Sequence, residues 1–295
     1  MKTSVRLTAY AMGLVVVFGG AAGAGRLFGP DQAPTAPPAH TGTHTSAAAE
    51  HSGHAGSPLP AGLQITQAGY TLSPLTTQLT AGRAQTFAFR ILGPDGKPVT
   101  QYTAASGTEL HLIVVRRDLT GYQHLHPVRA ADGTWSAPLT VRDPGQYRVF
   151  ADFTPRARTE SFVLGADVAA AGDYQPRLLP KPTWEARVDG YTVTRAGEPQ
   201  SGAAAWMTVS VSRDGQPVTL EPYLGSFGHL VALRQGDLAY LHLHPQAGTT
   251  AGPDITVDAE VPSAGAYRLY LEFKHGGKVH LAEFTATTGS GHTHN

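Results

Sequence analysis

The strongest constraint on the fold of this chain is an internal duplication that covers most of its length. Four blocks of sequence recur in the same order in the two halves: residues 69–72 with 190–193, 94–100 with 213–219, 111–127 with 229–245, and 145–153 with 265–273. Each copy spans roughly 100 residues, which is too long for one unit of a solenoid and long enough for a complete domain. We therefore predict two tandem domains that arose by duplication.

The pattern within each copy is that of short β-strands separated by turns. Residues 86–92 alternate with a period of two, and the Gly-Pro-Asp-Gly sequence at 93–96 then turns the chain. Further strands are predicted over residues 109–116, 122–128, 134–141, 146–153 and 159–164. The predicted fold class is all-β, with two tandem immunoglobulin-like antiparallel β-sandwich domains after an N-terminal membrane helix and a disordered, histidine-containing linker.

Composition separates the two domains from terminal and linking segments. Residues 29–60 are mainly Pro, Ala, Thr, Ser, Gly and His, a composition that cannot bury a core. The predicted boundaries are a membrane segment at 1–28, a linker at 29–60, sandwiches at 61–168 and 184–288, an interdomain linker at 169–183, and a histidine-containing tail at 289–295.

The N-terminus has the pattern of an export signal. Lys2 and Arg6 precede an apolar run that extends to residue 28, and positive residues before an apolar run direct export. The run between Arg6 and Arg26 is just long enough to span a bilayer as an uncleaved anchor, which is the preferred interpretation. Cleavage after the Ala-Gly-Ala sequence at 22–24 is the alternative and would give a secreted protein. Both place the domains outside the cytoplasm.

Composition and charge exclude several classes of function. The chain has no cysteine, which excludes disulfides, thiolate zinc sites, iron–sulfur clusters and blue-copper sites. Its 22 basic and 22 acidic residues balance, so no basic patch for nucleic acid is expected. No nucleophile or nucleotide-binding motif is present either. We therefore predict a protein that is not an enzyme.

The duplicated motif His-x12-His-x-His-Pro indicates metal binding. It supplies three histidines in each repeat: His111, His124 and His126, and then His229, His242 and His244. The last two of each set share one face of a strand, because strand side chains alternate. A hairpin with an even-length loop brings the first histidine to that same face. Imidazole nitrogens suit Cu²⁺ and Zn²⁺, so we predict one copper or zinc site in each repeat.

The fourth ligand is left open by the sequence. It would be water or a side chain from a nearby strand. The candidates are Asp152 in the first repeat, and Glu272, His275 or His280 in the second. If His280 is a ligand, the second repeat should hold its ion more tightly. Three histidines plus water also form catalytic zinc sites, so a metalloenzyme is a third and weaker hypothesis, since no general base can be assigned.

The motifs also resemble a group of exported proteins that is common in actinobacteria. The resemblance is carried by DGKPVT at 95–100, HLIVVRRDL at 111–119 and QHLHP at 123–127. Proteins with these signatures are often loosely labelled as heavy-metal or copper-associated, and they look like β-sandwich domains of the YtkA type. The resemblance implies an extracytoplasmic, membrane-tethered β-sandwich. The second repeat departs from the pattern at residues 226–228 and 234–237.

Two functions therefore follow from the sequence. The first is an extracytoplasmic protein that binds copper or zinc for buffering or delivery, with the metal ion and an envelope protein as partners and with the N-terminal helix in the membrane. The alternative is an envelope interaction or structural module in which the six motif histidines only brace the fold.

Overall fold

The structure is a computed structural model, and it describes residues 59–105, 107–198, 201, 205–245, 251–259, 261 and 263–288. All of these residues belong to one compact unit that begins at Ala55. Within them the secondary structure consists of β-strands without any helix. The predicted all-β fold with two repeated domains is confirmed.

The predicted membrane segment at 1–28, residues 29–58 of the linker that follows it and the tail at 289–295 lie outside the described residues. Among the residues that are described, no helix has the length and apolar character needed to cross a membrane.

Repeat 1 is a sandwich of two sheets. Its strands are β1 (Thr66–Gln67), β2 (Tyr70–Pro74), β3 (Gln78–Leu79), β4 (Ala84–Leu92), β5 (Tyr102–Thr103), β6 (Leu110–Arg116), β7 (Gln123–Leu125), β8 (Val128–Arg129), β9 (Thr134–Thr140), β10 (Gly145–Pro155) and β11 (Phe162–Ala170). One sheet has the order β1-β2-β4-β9-β8, and the other has the order β3-β11-β10-β6-β7 with β5 beside β10. Alternating apolar residues of β4 and β9, including Phe87, Phe89 and Trp135, fill the core between the sheets.

Repeat 2 has the same order of strands but a single continuous sheet. Its strands are β12 (Glu185–Val188), β13 (Tyr191–Ala196), β14 (Ala205–Arg213), β15 (Gln216–Pro217), β16 (Gly228–Arg234), β17 (Tyr240–Pro245), β18 (Asp254–Ala259), β19 (Gly265–His275) and β20 (Lys278–Thr288). The sheet order is β12-β13-β14-β18-β17-β16-β19-β20, with β15 beside β14. This sheet folds around a core of its own that includes Met207, Leu230 and Phe273.

The two repeats differ at the strand predicted over residues 122–128. In repeat 1 this stretch forms two strands, β7 and β8, because His126 and Pro127 leave the ladder between them. The chain thereby passes from one sheet to the other. In repeat 2 the matching strand β17 is unbroken and pairs with β18 at its end, where His244 lies opposite Asp258. That pairing joins the two layers of repeat 2 into one sheet.

Each repeat contains a tyrosine corner, a hallmark of immunoglobulin-like sandwiches. The hydroxyl of Tyr147, at the start of β10, donates a hydrogen bond of 2.7 Å to the carbonyl of Asp143. The hydroxyl of Tyr267, at the start of β19, donates one of 2.9 Å to the carbonyl of Ser263. Both bonds fix the corner that leads into the central strand of the sheet. In each repeat, this central strand also has a carboxylate side chain on the face that meets the other repeat.

The repeats pack against each other through the outer faces of these sheets. An apolar cluster between them combines residues of both repeats: Ile113, Val115, Leu119, Tyr122, Phe150 and Val163 from the first, and Val231, Leu233, Leu238, Tyr240 and Tyr270 from the second. Equivalent aromatic pairs cross the interface, with Tyr122 stacked on Tyr270 at 4.0 Å and Phe150 beside Tyr240 at 5.4 Å. Strands β6 and β16 are therefore buried on both faces.

One hydrogen bond across this interface gives a test of its contribution to stability. The buried hydroxyl of Tyr270 donates to the carbonyl of Leu119 at 2.7 Å. We expect Tyr270→Phe to lower the free energy of unfolding by about 1–2 kcal/mol, because the carbonyl loses its partner. Phe150 occupies the equivalent position in repeat 1, so a phenylalanine ring is compatible with this interface. Urea denaturation measures the change, and an unchanged midpoint would contradict the assignment.

A histidine cluster between the two repeats

The hairpin of repeat 1 brings His111 and His124 to the same face of the sheet. Strands β6 and β7 are antiparallel, with Leu112 opposite Leu125 and Ile113 opposite His124. This register corresponds to an even-length loop, which is the condition under which the sequence predicts a shared face. It places His124 opposite Ile113, whose side chain lies in the interface between the repeats. His111 shares that face because it lies two residues before Ile113.

Repeat 2 presents the matching residues from its own sheet. On β16, His229 precedes Val231 by two residues and so faces the same interface. The neighbouring strand β19 places Glu272 directly opposite His229, just as β10 places Asp152 opposite His111. The interface is therefore lined at one end by histidines and carboxylates from both repeats.

Three of these histidines meet at one point. One ring nitrogen from each of His111, His124 and His229 lies within 4.8 Å of the others. His111 and His229 are only 5% and 6% exposed, and the side chain of His124 is completely buried. The rings of His124 and His229 stack at 4.5 Å across the interface. We call these three residues the shared histidine cluster.

Hydrogen bonds connect the cluster to a carboxylate of repeat 2. Nδ1 of His111 lies 2.9 Å from Nε2 of His124. The other nitrogen of His124, Nδ1, lies 2.6 Å from Oε2 of Glu272. The hydroxyl of Tyr223 donates to the same carboxylate oxygen at 3.2 Å. A continuous chain of polar contacts thus runs from repeat 1 into repeat 2.

His126 lies at the exposed rim of the cluster. Its ring centroid is 5.4 Å from that of His111 and 4.8 Å from that of His124. Burial of the ring lowers the pKa of His126, His124 adds to this effect, and the charge of Glu272 opposes it. The lowered pKa keeps the imidazole neutral at pH 7, which is the form that binds metal ions.

The tyrosines around the cluster are buried, so its surroundings exclude water. Burial raises the pKa of the Tyr122 hydroxyl well above its ordinary value, and the charge of Glu272 raises it further. Burial likewise raises the pKa of Tyr240, with smaller contributions from Asp152 and Glu272. These tyrosines therefore remain protonated. Electrostatic interactions of the cluster are strengthened where water is excluded.

The structure differs from the expectation of one site in each repeat. His111, His124 and His229 form one group that takes ligand atoms from both repeats. The physical reason is that the apolar interface packs the two sheet faces that carry these histidines against each other. The side chains of His242 and His244 lie outside the described residues, so the prediction for these two stays a prediction.

His280, the remaining predicted ligand, is not brought to the cluster. It lies opposite Phe273 on the core side of the sheet, whereas His229 and Glu272 face the interface. Its Nδ1 lies 2.7 Å from Asp189. His275, another candidate, bonds through Nδ1 to the hydroxyl of Tyr191 at 2.7 Å. Both histidines thus have protein partners away from the shared histidine cluster.

Two features of the site were not found by sequence reasoning. Glu272 was considered as a ligand within repeat 2, but it contacts His124 of repeat 1. Tyr223 lies in the connection between β15 and β16, in a stretch that shows no motif, and nothing in the sequence signalled its contact with Glu272. Asp152 and Glu272 were both candidate ligands from the sequence, and they occupy equivalent positions in the duplicated block 145–153 and 265–273.

The fold and the cluster define a two-domain immunoglobulin-like protein with a histidine-rich interface between its domains. The chain belongs to the family defined by a domain of unknown function, DUF8832, which matches it twice, over residues 65–170 and 186–290. Among curated proteins, none matches the sequence.

Several solved structures are similar over most of the chain. They include the Escherichia coli adhesin FdeC (16% identity, TM-score 0.24, 75% of this chain and 64% of that one). Invasin, a bacterial integrin-binding protein, has 12% identity and a TM-score of 0.22, over 75% of this chain and 39% of that one. A putative membrane-anchored protein from Corynebacterium diphtheriae has 8% identity and a TM-score of 0.23, over 76% and 59%. The chain spans less than two thirds of the length of each.

Proposed function

We propose that this is an extracytoplasmic protein that binds a single copper or zinc ion at the shared histidine cluster, for buffering or for delivery to an envelope partner. The observation that carries the proposal is the approach of three imidazole nitrogens, from three strands and both repeats, to within 4.8 Å of one another. A protein core without such a role rarely gathers buried polar rings at one point, because each must be desolvated and then satisfied.

The dimensions of the cluster suit a tetrahedral ion. Nitrogens bound at 2.0–2.1 Å in tetrahedral geometry lie about 3.3 Å apart. The nitrogens here range from 2.9 Å for the pair of His111 and His124 up to 4.8 Å, so small ring rotations would bring all three into place. Imidazole donors favour zinc and copper over calcium or magnesium. When bound, such an ion would be held by the three imidazoles, with His126 at the exposed rim as a candidate for the fourth position.

The location of the protein is part of the proposal. The apolar run after Lys2 and Arg6 supports export, with the chain either anchored by this run or secreted after its removal. An oxidising compartment without competing thiols would leave the imidazole of histidine as the main ligand for copper or zinc. The role proposed is binding rather than catalysis.

A titration tests the proposal. The six histidines of the terminal segments must first be replaced by asparagine, because they could bind metal weakly on their own: His40, His44, His51, His54, His292 and His294. Isothermal titration of this metal-free variant with zinc and with Cu²⁺ should give one tight site per chain. Two equal sites would contradict a shared cluster, and no tight site would contradict metal binding.

The alternative, an envelope module whose histidines brace the two repeats, is favoured by a specific observation. The bonds from His124 to His111 and to Glu272 already satisfy both of its ring nitrogens within the protein. In that case His124→Asn should lower the melting temperature in the presence of a chelator. Zinc should then leave the melting temperature of the unsubstituted protein unchanged. A rise in that temperature with zinc would instead support metal binding.

A further inference from the structure

We propose that Glu272 of repeat 2 is a positioning residue that fixes the tautomer and orientation of His124 in repeat 1, so that Nε2 of His124 is the nitrogen offered to a metal ion. The consequence for metal affinity rests on the proposed function, whereas the tautomer can be tested without any metal. In this account repeat 2 supplies both a ligand, His229, and the group that prepares a ligand of its neighbour.

The proton of the contact can be assigned from the chemistry of the two groups. Nδ1 of His124 and Oε2 of Glu272 are 2.6 Å apart, and their side chains are 0% and 11% exposed. An ionised carboxylate can only accept hydrogen bonds, so the proton lies on Nδ1 of His124. In the neutral ring Nε2 then carries a lone pair. The bond of 2.9 Å between His111 and His124 must therefore be donated by Nδ1 of His111.

This arrangement matches the way proteins prepare histidines for metal ions. A ligating histidine commonly donates its second ring N–H to a carboxylate, which fixes the ring and raises the basicity of the ligating nitrogen. Here the lone pair of Nε2 points toward His111, one of the other two members of the cluster, and accepts its hydrogen bond. The hydrogen bond between the two rings thus occupies the place where an ion would be held.

Glu272 is itself held in position from two sides. Its backbone is fixed opposite His229 in the ladder between β16 and β19. Its carboxylate accepts a hydrogen bond of 3.2 Å from the hydroxyl of Tyr223. Burial and the neighbouring carboxylate raise the pKa of Tyr223, so that this hydroxyl remains a donor. The orientation of His124 therefore depends on two residues of the other repeat.

A second histidine–carboxylate pair in the same chain provides a matched control. Nδ1 of His280 lies 2.7 Å from Asp189, on the opposite side of the sheet from the cluster. Removing that carboxylate, in Asp189→Asn, disturbs the same kind of bond but should not affect His124. Glu272→Met removes the acceptor from His124 while keeping the length of the side chain. Tyr223→Phe removes only the hydroxyl that supports Glu272.

The experiment is histidine tautomer assignment by long-range ¹H–¹⁵N correlation NMR on the full chain in the absence of metal, with the His124 signals identified by their loss in His124→Asn. His124 should be protonated on Nδ1 in the unsubstituted protein, in Asp189→Asn and, less completely, in Tyr223→Phe. Glu272→Met should convert it to a mixture of tautomers. Zinc affinity should fall by about 10–100-fold in Glu272→Met and remain unchanged in Asp189→Asn.

Two results would overturn the positioning role. One is His124 protonated on Nε2 in the unsubstituted protein, and the other is a tautomer and a zinc affinity that Glu272→Met leaves unchanged. Failure of the proposed function gives a different result, in which the predicted tautomers are observed but the unsubstituted protein binds no zinc. If Glu272→Met does not fold, Tyr223→Phe provides the same comparison with a smaller perturbation.

Discussion

Replacing His229 in repeat 2 with alanine is expected to abolish the proposed zinc binding as completely as replacing His111 or His124 in repeat 1. Each substitution deletes one of three nitrogens that converge within 4.8 Å. Loss of an orienting partner alone typically costs about 10–100-fold in affinity, so loss of a ligand should cost more than about 100-fold. Isothermal titration with zinc should show the stoichiometry falling from one to zero in all three variants.

This result distinguishes one shared site from two independent sites. If each repeat held its own ion, His229→Ala would remove one ion of two and leave the site of His111 and His124 intact. The matched control is His280→Ala, since His280 bonds to Asp189 on the other side of the sheet. That variant should bind zinc as the unsubstituted protein does, and a loss of binding there would contradict the assignment of ligands.

The second large effect is expected at the apolar interface that brings the histidines together. Val231 is completely buried in this interface, within the same cluster as Ile113 and Tyr270. Val231→Asp would bury an unpaired charge, at a cost of about 3–5 kcal/mol. The new carboxylate would also lie on the same face as Glu272, diagonally across the pair of strands β16 and β19. We expect a lower urea midpoint together with the loss of tight zinc binding, because the ligands come from both repeats.

A surface substitution of the same kind serves as the control for this prediction. Val128 is 73% exposed on the edge strand β8, so Val128→Asp should change the stability by less than about 0.5 kcal/mol. Its zinc affinity should also be unchanged. If Val231→Asp retains both the stability and the zinc affinity of the unsubstituted protein, the interface is not what assembles the cluster.

Much of the fold could be predicted from the sequence because the signals are local. The alternation of residues 86–92 predicted β4, and the parity of the motif predicted that His111 and His124 share a face. Both features depend only on the two-residue period of a strand and on the length of one loop. Neither depends on which element packs against the sheet.

The partners of the histidines could not be predicted in the same way, because they depend on how one sheet packs on another. The run from Leu112 to Val115 is apolar on both faces, which indicates a strand covered on both sides, but it does not identify the covering element. The covering element is repeat 2, and so His124 meets His229 and Glu272. The side of the sheet on which His280 lies could be predicted, because His280 pairs with Phe273, which is a core residue.

Anomalous diffraction from crystals of the zinc-loaded protein distinguishes one shared site from two separate sites. We expect a single strong peak bounded by His111, His124 and His229, with each nitrogen at about 2.0–2.1 Å from it. Two peaks, each enclosed by the histidines of one repeat, or strong peaks only at other histidines, would contradict a site shared between the domains.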